Sequence, residues 1–340
     1  MTELTQNASA EYLFARIHAL RARAFHGAAL QELARAGSEE QFLRVLHNNG
    51  IEVDEQQAFS KSLQIRELGI LNGLMKQMRS SLASFYHAFM FRTFYKNLKT
   101  LLRFRYFQDD TLTLQSLLVP MPFGMSWDVP RILRAESLED FLTLIHIDEN
   151  IDDVGSCIRK LMKTRDMILA ESELERLSYG GVLSSAKRLP NILRGDAVRL
   201  VCNEIDVQNI SMMLRNVSMY HYKPERMSQM WLEGSDSLSV DLLTEGSRCK
   251  EVREAIDLLP DKYRSILLKK SGGELQDLED TVWKLSLKDA KKTHSQTLDF
   301  RQPLVAYPFL LHFESVNLCR IHECVHFGMS PKEIQGMLID

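Results

Sequence analysis

The chain has 340 residues, 45% of them apolar and 26% charged, and a formal net charge of −3. That is length enough for two or three domains of ordinary soluble composition, and the charge balance excludes a uniformly basic coat for nucleic acid. The longest apolar stretches, near residues 83–91 and 304–313, are broken by His or Pro and fall short of the roughly 18 residues a membrane-crossing helix needs.

The opening Met-Thr-Glu-Leu-Thr-Gln-Asn has no basic start followed by an apolar stretch, so no secretory signal is expected. Cys157, Cys202, Cys249, Cys319 and Cys324 form no CxxC pair and are odd in number, which suits reduced thiols in the cytosol. The protein is therefore expected to be cytoplasmic, meeting any membrane from outside.

No proline occurs in the first 119 residues, and apolar residues recur at steps of three and four. Leu13, Phe14, Ile17, Leu20 and Ala24 share one helical face. Leu82, Phe85, Phe89, Leu98, Leu101 and Leu102 mark one or two long helices further on. Strand-like alternation is scarce, so the fold is read as all-α. Chain breaks are expected at Val119-Pro120-Met121-Pro122, Ser178-Tyr179-Gly180-Gly181, Gly234-Ser235-Asp236 and Ser271-Gly272-Gly273. Gly69 and Gly73 have GxxxG spacing, which suggests a close helix contact.

Repetition carries the most information. Tyr95-Lys96-Asn97-Leu98-Lys99-Thr100-Leu101-Leu102-Arg103, Val207-Gln208-Asn209-Ile210-Ser211-Met212-Met213-Leu214-Arg215 and Ser315-Val316-Asn317-Leu318-Cys319-Arg320-Ile321-His322-Glu323 share the form Asn-apolar-x-x-apolar. The asparagines stand 112 and 108 residues apart, close to a third of the chain. A short closing helix follows each. In the third copy Ser330 is a good N-cap, Pro331 suits the first helical position, and Glu333 completes a capping box. Residues 38–46 also align without gaps on residues 137–145, and residues 247–255 are the nearest third copy. Three helical units are expected, at 1–120, 121–233 and 234–340.

Asn97, Asn209 and Asn317 sit at the edge of an apolar face, while Arg103, Arg215 and Glu323 point nearly opposite. Asn costs roughly 0.7 kcal/mol against Ala inside a helix, so three such placements need a reason. A half-buried amide bonded to a neighbouring segment would pin the register of its unit; direct contact with a partner is the other reading. Neither is catalytic.

Charge is unevenly spread. No Asp or Glu occurs between Leu68 and Gln108, and Arg92, Lys96, Lys99 and Arg103 form a basic stripe at helical spacing. Glu136, Glu139, Asp140, Asp148, Glu149, Asp152 and Asp153 form an acidic run. Both are usually solvated faces; the functional alternative is a docking surface for oppositely charged partners. The aromatics beside the stripe, spaced three and four apart, fit a core better than a base-stacking platform.

His322-Glu323-Cys324-Val325-His326 is a literal HExxH, the zinc-hydrolase pattern in which two histidines on one face hold the metal and Glu acts as base. Against it, only fourteen residues follow, Lys332 stands where a third ligand often lies, and the same residues belong to the repeat helix. No metal and no cofactor are expected.

The triplicated Asn helix, the final S-P-x-E-I-x-x-M-L element and the opening Tyr12-Leu13-Phe14-Ala15-Arg16-Ile17-His18-Ala19-Leu20-Arg21-Ala22-Arg23 resemble the C-type subunit of bacterial and archaeal V/A-type ATPases, whose vacuolar counterpart is the d-type subunit. The family often has an acidic residue just before each Asn. Here Glu204 and Asp206 precede Asn209 and Glu314 precedes Asn317, but Phe94 and Lys96 stand before Asn97.

The resemblance implies three similar helical bundles around a pseudo-threefold axis, forming a funnel. It also implies a single-copy, non-catalytic rotor subunit, binding no nucleotide, that links the central-stalk subunits to the membrane proteolipid ring. Torque passing through it would couple ATP turnover to proton or sodium transport. A stand-alone helical scaffold or adaptor is the alternative.

Overall fold

A computed structural model describes residues 9–54, 57–107, 111–122, 127–145, 151–235, 237–270, 272–296 and 299–340. The residues before Ser9, together with Asp148, Glu149, Asp236 and Ser271, lie outside the described residues. The described chain is helical with no strand, as the three-to-four spacing of its apolar residues predicts. The apolar residues from Leu82 to Leu102 lie on one long helix, Ser80–Phe107.

The chain forms two compact units. One gathers 1–87, 186–200 and 280–340; the other gathers 88–185 and 201–279. Their boundaries fall inside the helices Ser80–Phe107, Met167–Lys187, Asn191–Arg215 and Leu275–Ser295.

The first unit is organised by helix Pro303–His326, which is apolar on nearly every side and buried along most of its length. A helix of that pattern sits inside other helices, and it packs against Ala10–Ala22, Glu39–Asn48, Phe59–Met75 and Pro331–Gly336. Phe42, Leu46, Phe59, Leu63, Leu318, Ile321, Ile334 and Leu338 close one core around it. Pro308 lies inside this helix. Having no N–H, it leaves the carbonyl of Leu304 without its helical partner, and the Tyr86 hydroxyl donates to that oxygen at 2.7 Å.

The second unit contains the larger part of Ser80–Phe107, Met167–Lys187 and Asn191–Arg215 together with a run of short helices. Val129–Leu133 packs on Leu138–Ile145, which packs on Ile151–Thr164, and Val240–Gly246, Val252–Asp257 and Asp261–Leu267 follow one another in contact.

Two local expectations are overturned. Ser178-Tyr179-Gly180-Gly181 does not break the chain: helix Met167–Lys187 runs straight through it. Two helical glycines cost about 1 kcal/mol each against Ala, but Tyr179, Val182 and Leu183 are buried along the same stretch and hold the turn in place. Residues 247–255 are not one capped helix either, because Ser247 ends helix Val240–Gly246. The serine that plays the expected part is Ser239, whose hydroxyl accepts from Leu242 N. Ser38 accepts from Gln41 N and Ser137 from Asp140 N in the same way. At Gly69 an added Cβ would meet nothing within 4 Å, so no close contact depends on that glycine.

Candidate functional site

Each repeated asparagine makes the same pair of hydrogen bonds. Asn97 donates from Nδ2 to the carbonyl of Val119 at 2.7 Å, and its Oδ1 accepts from the N–H of Val119 at 3.0 Å. Asn209 does the same with Leu232, at 2.9 Å in both directions. Asn317 does it with Ile339, at 2.6 and 2.8 Å.

The three amides are 6%, 2% and 3% exposed, so neither end of any of them is open to water. One side-chain amide thus meets both polar groups of one residue, as a neighbouring strand would. That reciprocity also fixes which amide atom is oxygen and which is nitrogen.

The clamped residue lies 22 or 23 positions after its asparagine and just past the closing helix. There the chain is outside any helix and buried, and its N–H and C=O have no helical partner. Beyond Leu232 the chain turns at Gly234, with φ +107° and an absent Cβ that would collide with Leu183. In the third copy the Ser330–Glu333 capping box forms, fixing where the closing helix begins.

Charged groups surround the clamps. Arg103 and Arg215, each six residues after its asparagine, make two-point ion pairs with Glu171 and Glu279. Glu323 holds that place in the third copy, and Arg320, one turn earlier, pairs with Asp280 at 2.8 and 2.9 Å instead. Five residues before their asparagines stand Arg92 and Glu204, which pair with each other at 2.7 Å. Arg92 also donates to the Tyr179 hydroxyl at 2.9 Å and lies over the Tyr179 ring. Burial works against its charge, but Glu204 beside it more than offsets that, and the guanidinium stays protonated far above neutral pH.

The basic stripe is therefore largely engaged within its own unit. Arg92 holds Glu204, Lys99 holds Glu175 and Arg103 holds Glu171, while Lys96 is exposed. Sequence reasoning misses Glu171 and Glu175. Their spacing of four residues on one helix matches that of Lys99 and Arg103 on the other, and no other signal points to them.

The acidic run has a local cause. Glu139 and Asp140 occupy the first turn of one helix, and Asp152 and Asp153 that of the next, where carboxylates favour the helix dipole.

His322 and His326 both turn to one carboxylate, that of Glu39. Nε2 of His322 and Nδ1 of His326 lie 3.0 and 3.1 Å from the two oxygens of Glu39. The two imidazole contacts hold the Glu39 carboxyl below its usual range. The His322 ring stacks on Phe59 at 4.2 Å, and Glu323 is exposed. Glu333, the nearest downstream carboxylate, is bonded to Ser330. Among the described residues no three His, Cys, Asp or Glu side chains are grouped to hold a metal. The pattern thus joins two helices through one carboxylate, and its histidines are engaged by Glu39 where the hydrolytic reading needs them on zinc.

Also among the described residues, no helix is long and apolar enough to cross a membrane. A family model described as ATP synthase (C/AC39) subunit matches residues 13–337. No curated protein matches the chain. The match spans nearly the whole sequence, and the chain belongs to the C/AC39 family, the non-catalytic subunit of V/A-type ATPases known in the vacuolar complex as the d-type subunit.

Proposed function

We propose that this protein is the rotor subunit that joins the central stalk to the membrane proteolipid ring and passes torque between them. It would sit at the membrane only through that ring, as a single copy, and would couple ATP hydrolysis or synthesis to proton or sodium movement. Family membership supports a place in the rotary ATPase.

The observation that carries the finer reading is the threefold recurrence of one clamp, at intervals close to a third of the chain. Three like modules, at 1–120, 121–233 and 234–340, suit a pseudo-threefold funnel lying on the axis of a rotor. A part that transmits torque must resist shear. A buried two-point amide bond at the end of each module opposes slippage of the closing segment. A partner binding at Arg92, Lys99 and Arg103 would have to displace Glu204, Glu175 and Glu171 from the existing pairs, whereas Lys96 is exposed.

Affinity capture of the tagged chain from native membranes tests the proposal. Recovery of both stalk subunits and proteolipid is the expected result. A chain that comes out with neither is a free-standing scaffold, and the proposal fails.

A further inference from the structure

A cavity of about 380 Å³ lies in the second unit, half open to solvent. Leu102, Leu138, Phe141, Ile158 and Leu161 form its apolar wall, and Met162 stands at the mouth with 59% of its surface exposed. Arg105, Tyr106, Ser137 and Arg165 complete the lining.

Neither arginine has a carboxylate partner among the described residues. Arg105 donates to the carbonyl oxygens of Ile132 and Ala135, and its guanidinium lies over the Phe141 ring at 5.1 Å. Burial lowers its pKa. Asp140, next to the wall residue Phe141, is bonded to the Ser137 hydroxyl. Arg165 is exposed, and its backbone is held in place by Tyr106, whose hydroxyl donates to the Arg165 carbonyl. Elsewhere in this unit Arg92, Lys99, Arg103 and Arg215 each have a glutamate. Arg176, in the same unit, is likewise held by backbone carbonyls, those of Gln229 and Trp231; what sets Arg105 and Arg165 apart is that they line one apolar hollow together.

We propose that this cavity binds a single-chain anionic amphiphile of the long-chain fatty-acid type, with its carboxylate at Arg105 and Arg165 and its alkyl chain along the apolar wall. Arginine suits a planar carboxylate because its donors form a fork, and the alkyl chain gains by leaving water. The volume is in the lower part of the range for small-molecule sites, about 300–1,000 Å³. A docked protein helix would need a far longer groove, since specific protein interfaces bury about 1,200–2,000 Å² in total.

Isothermal titration of the full chain with dodecanoate, dodecanol and butyrate tests the proposal. Two variants accompany it, Arg165→Gln and Met162→Glu, both at exposed positions where the fold does not depend on the side chain. Dodecanoate is expected to bind one to one, and dodecanol and butyrate at least tenfold more weakly. Each variant is expected to lower dodecanoate affinity about tenfold without moving the melting temperature. Equal binding of dodecanol would reduce the effect to partitioning of an alkyl chain and overturn the proposal. So would unchanged affinity in either variant, or no binding of dodecanoate at all.

Discussion

Replacing Asn209 with Ala would leave both the N–H and the C=O of Leu232 buried and unpaired. With each orphaned group costing about 1–3 kcal/mol, the expected loss is about 2–6 kcal/mol. Urea unfolding at neutral pH reads it directly, and an unchanged midpoint would show that the clamp contributes nothing. Tyr86→Phe isolates a single bond of the same kind. The Leu304 carbonyl freed by Pro308 would lose its donor, at a cost of about 1–3 kcal/mol.

One histidine makes stability depend on pH. Burial, then the nearby His18 and Arg21, hold the pKa of His294 down to about 4, against an ordinary value of 6.5. Between those values the unfolded chain binds a proton that the folded chain refuses. Stability is therefore greatest above about pH 6.5 and falls as the pH drops towards 4, by roughly 2–3 kcal/mol for this group. Melting curves at pH 7 and 4.5 should show that decline, and His294→Gln should flatten it.

At the scale of helices, local signals locate what local chemistry controls. The Ser330–Glu333 capping box is written in four consecutive residues and forms as they predict. The helical period of Ser80–Phe107 depends only on its own side chains. Gly180 and Gly181 mislead because intrinsic propensity favours a break, whereas burial of Tyr179, Val182 and Leu183 decides the outcome.

The partners of the stripe are invisible in the sequence for a different reason. Glu171 and Glu175 are distant along the chain from Arg103 and Lys99 and become neighbours only when two helices pack. Arg320 escapes notice because strict alignment puts Glu323 at the arginine position, yet one helical turn earlier the same two-point pairing is made. The Arg103–Glu171 pair is largely exposed on the arginine side. A double-mutant cycle on it should give only about 0.2–1 kcal/mol, and a larger coupling would mark it as more than a surface pair.

At the scale of the molecule, repetition in sequence and compactness in space group the residues differently. The thirds are defined by the recurring asparagine helix, while the two compact units exchange chain within four helices. What the copies share is the last step of each module: a long helix, a short closing helix and a buried residue clamped back by an amide. The asparagines are legible because three copies share them. The residues they clamp are not, since Val119, Leu232 and Ile339 share only a buried aliphatic side chain, too common in this sequence to single them out.

The coupling role is tested most directly in native membrane vesicles stripped of this subunit and then given it back. ATP-driven ion uptake should vanish on its removal and return on its addition, with ATP hydrolysis by the rest of the complex persisting throughout. Ion uptake that proceeds at full rate without this chain would contradict the account.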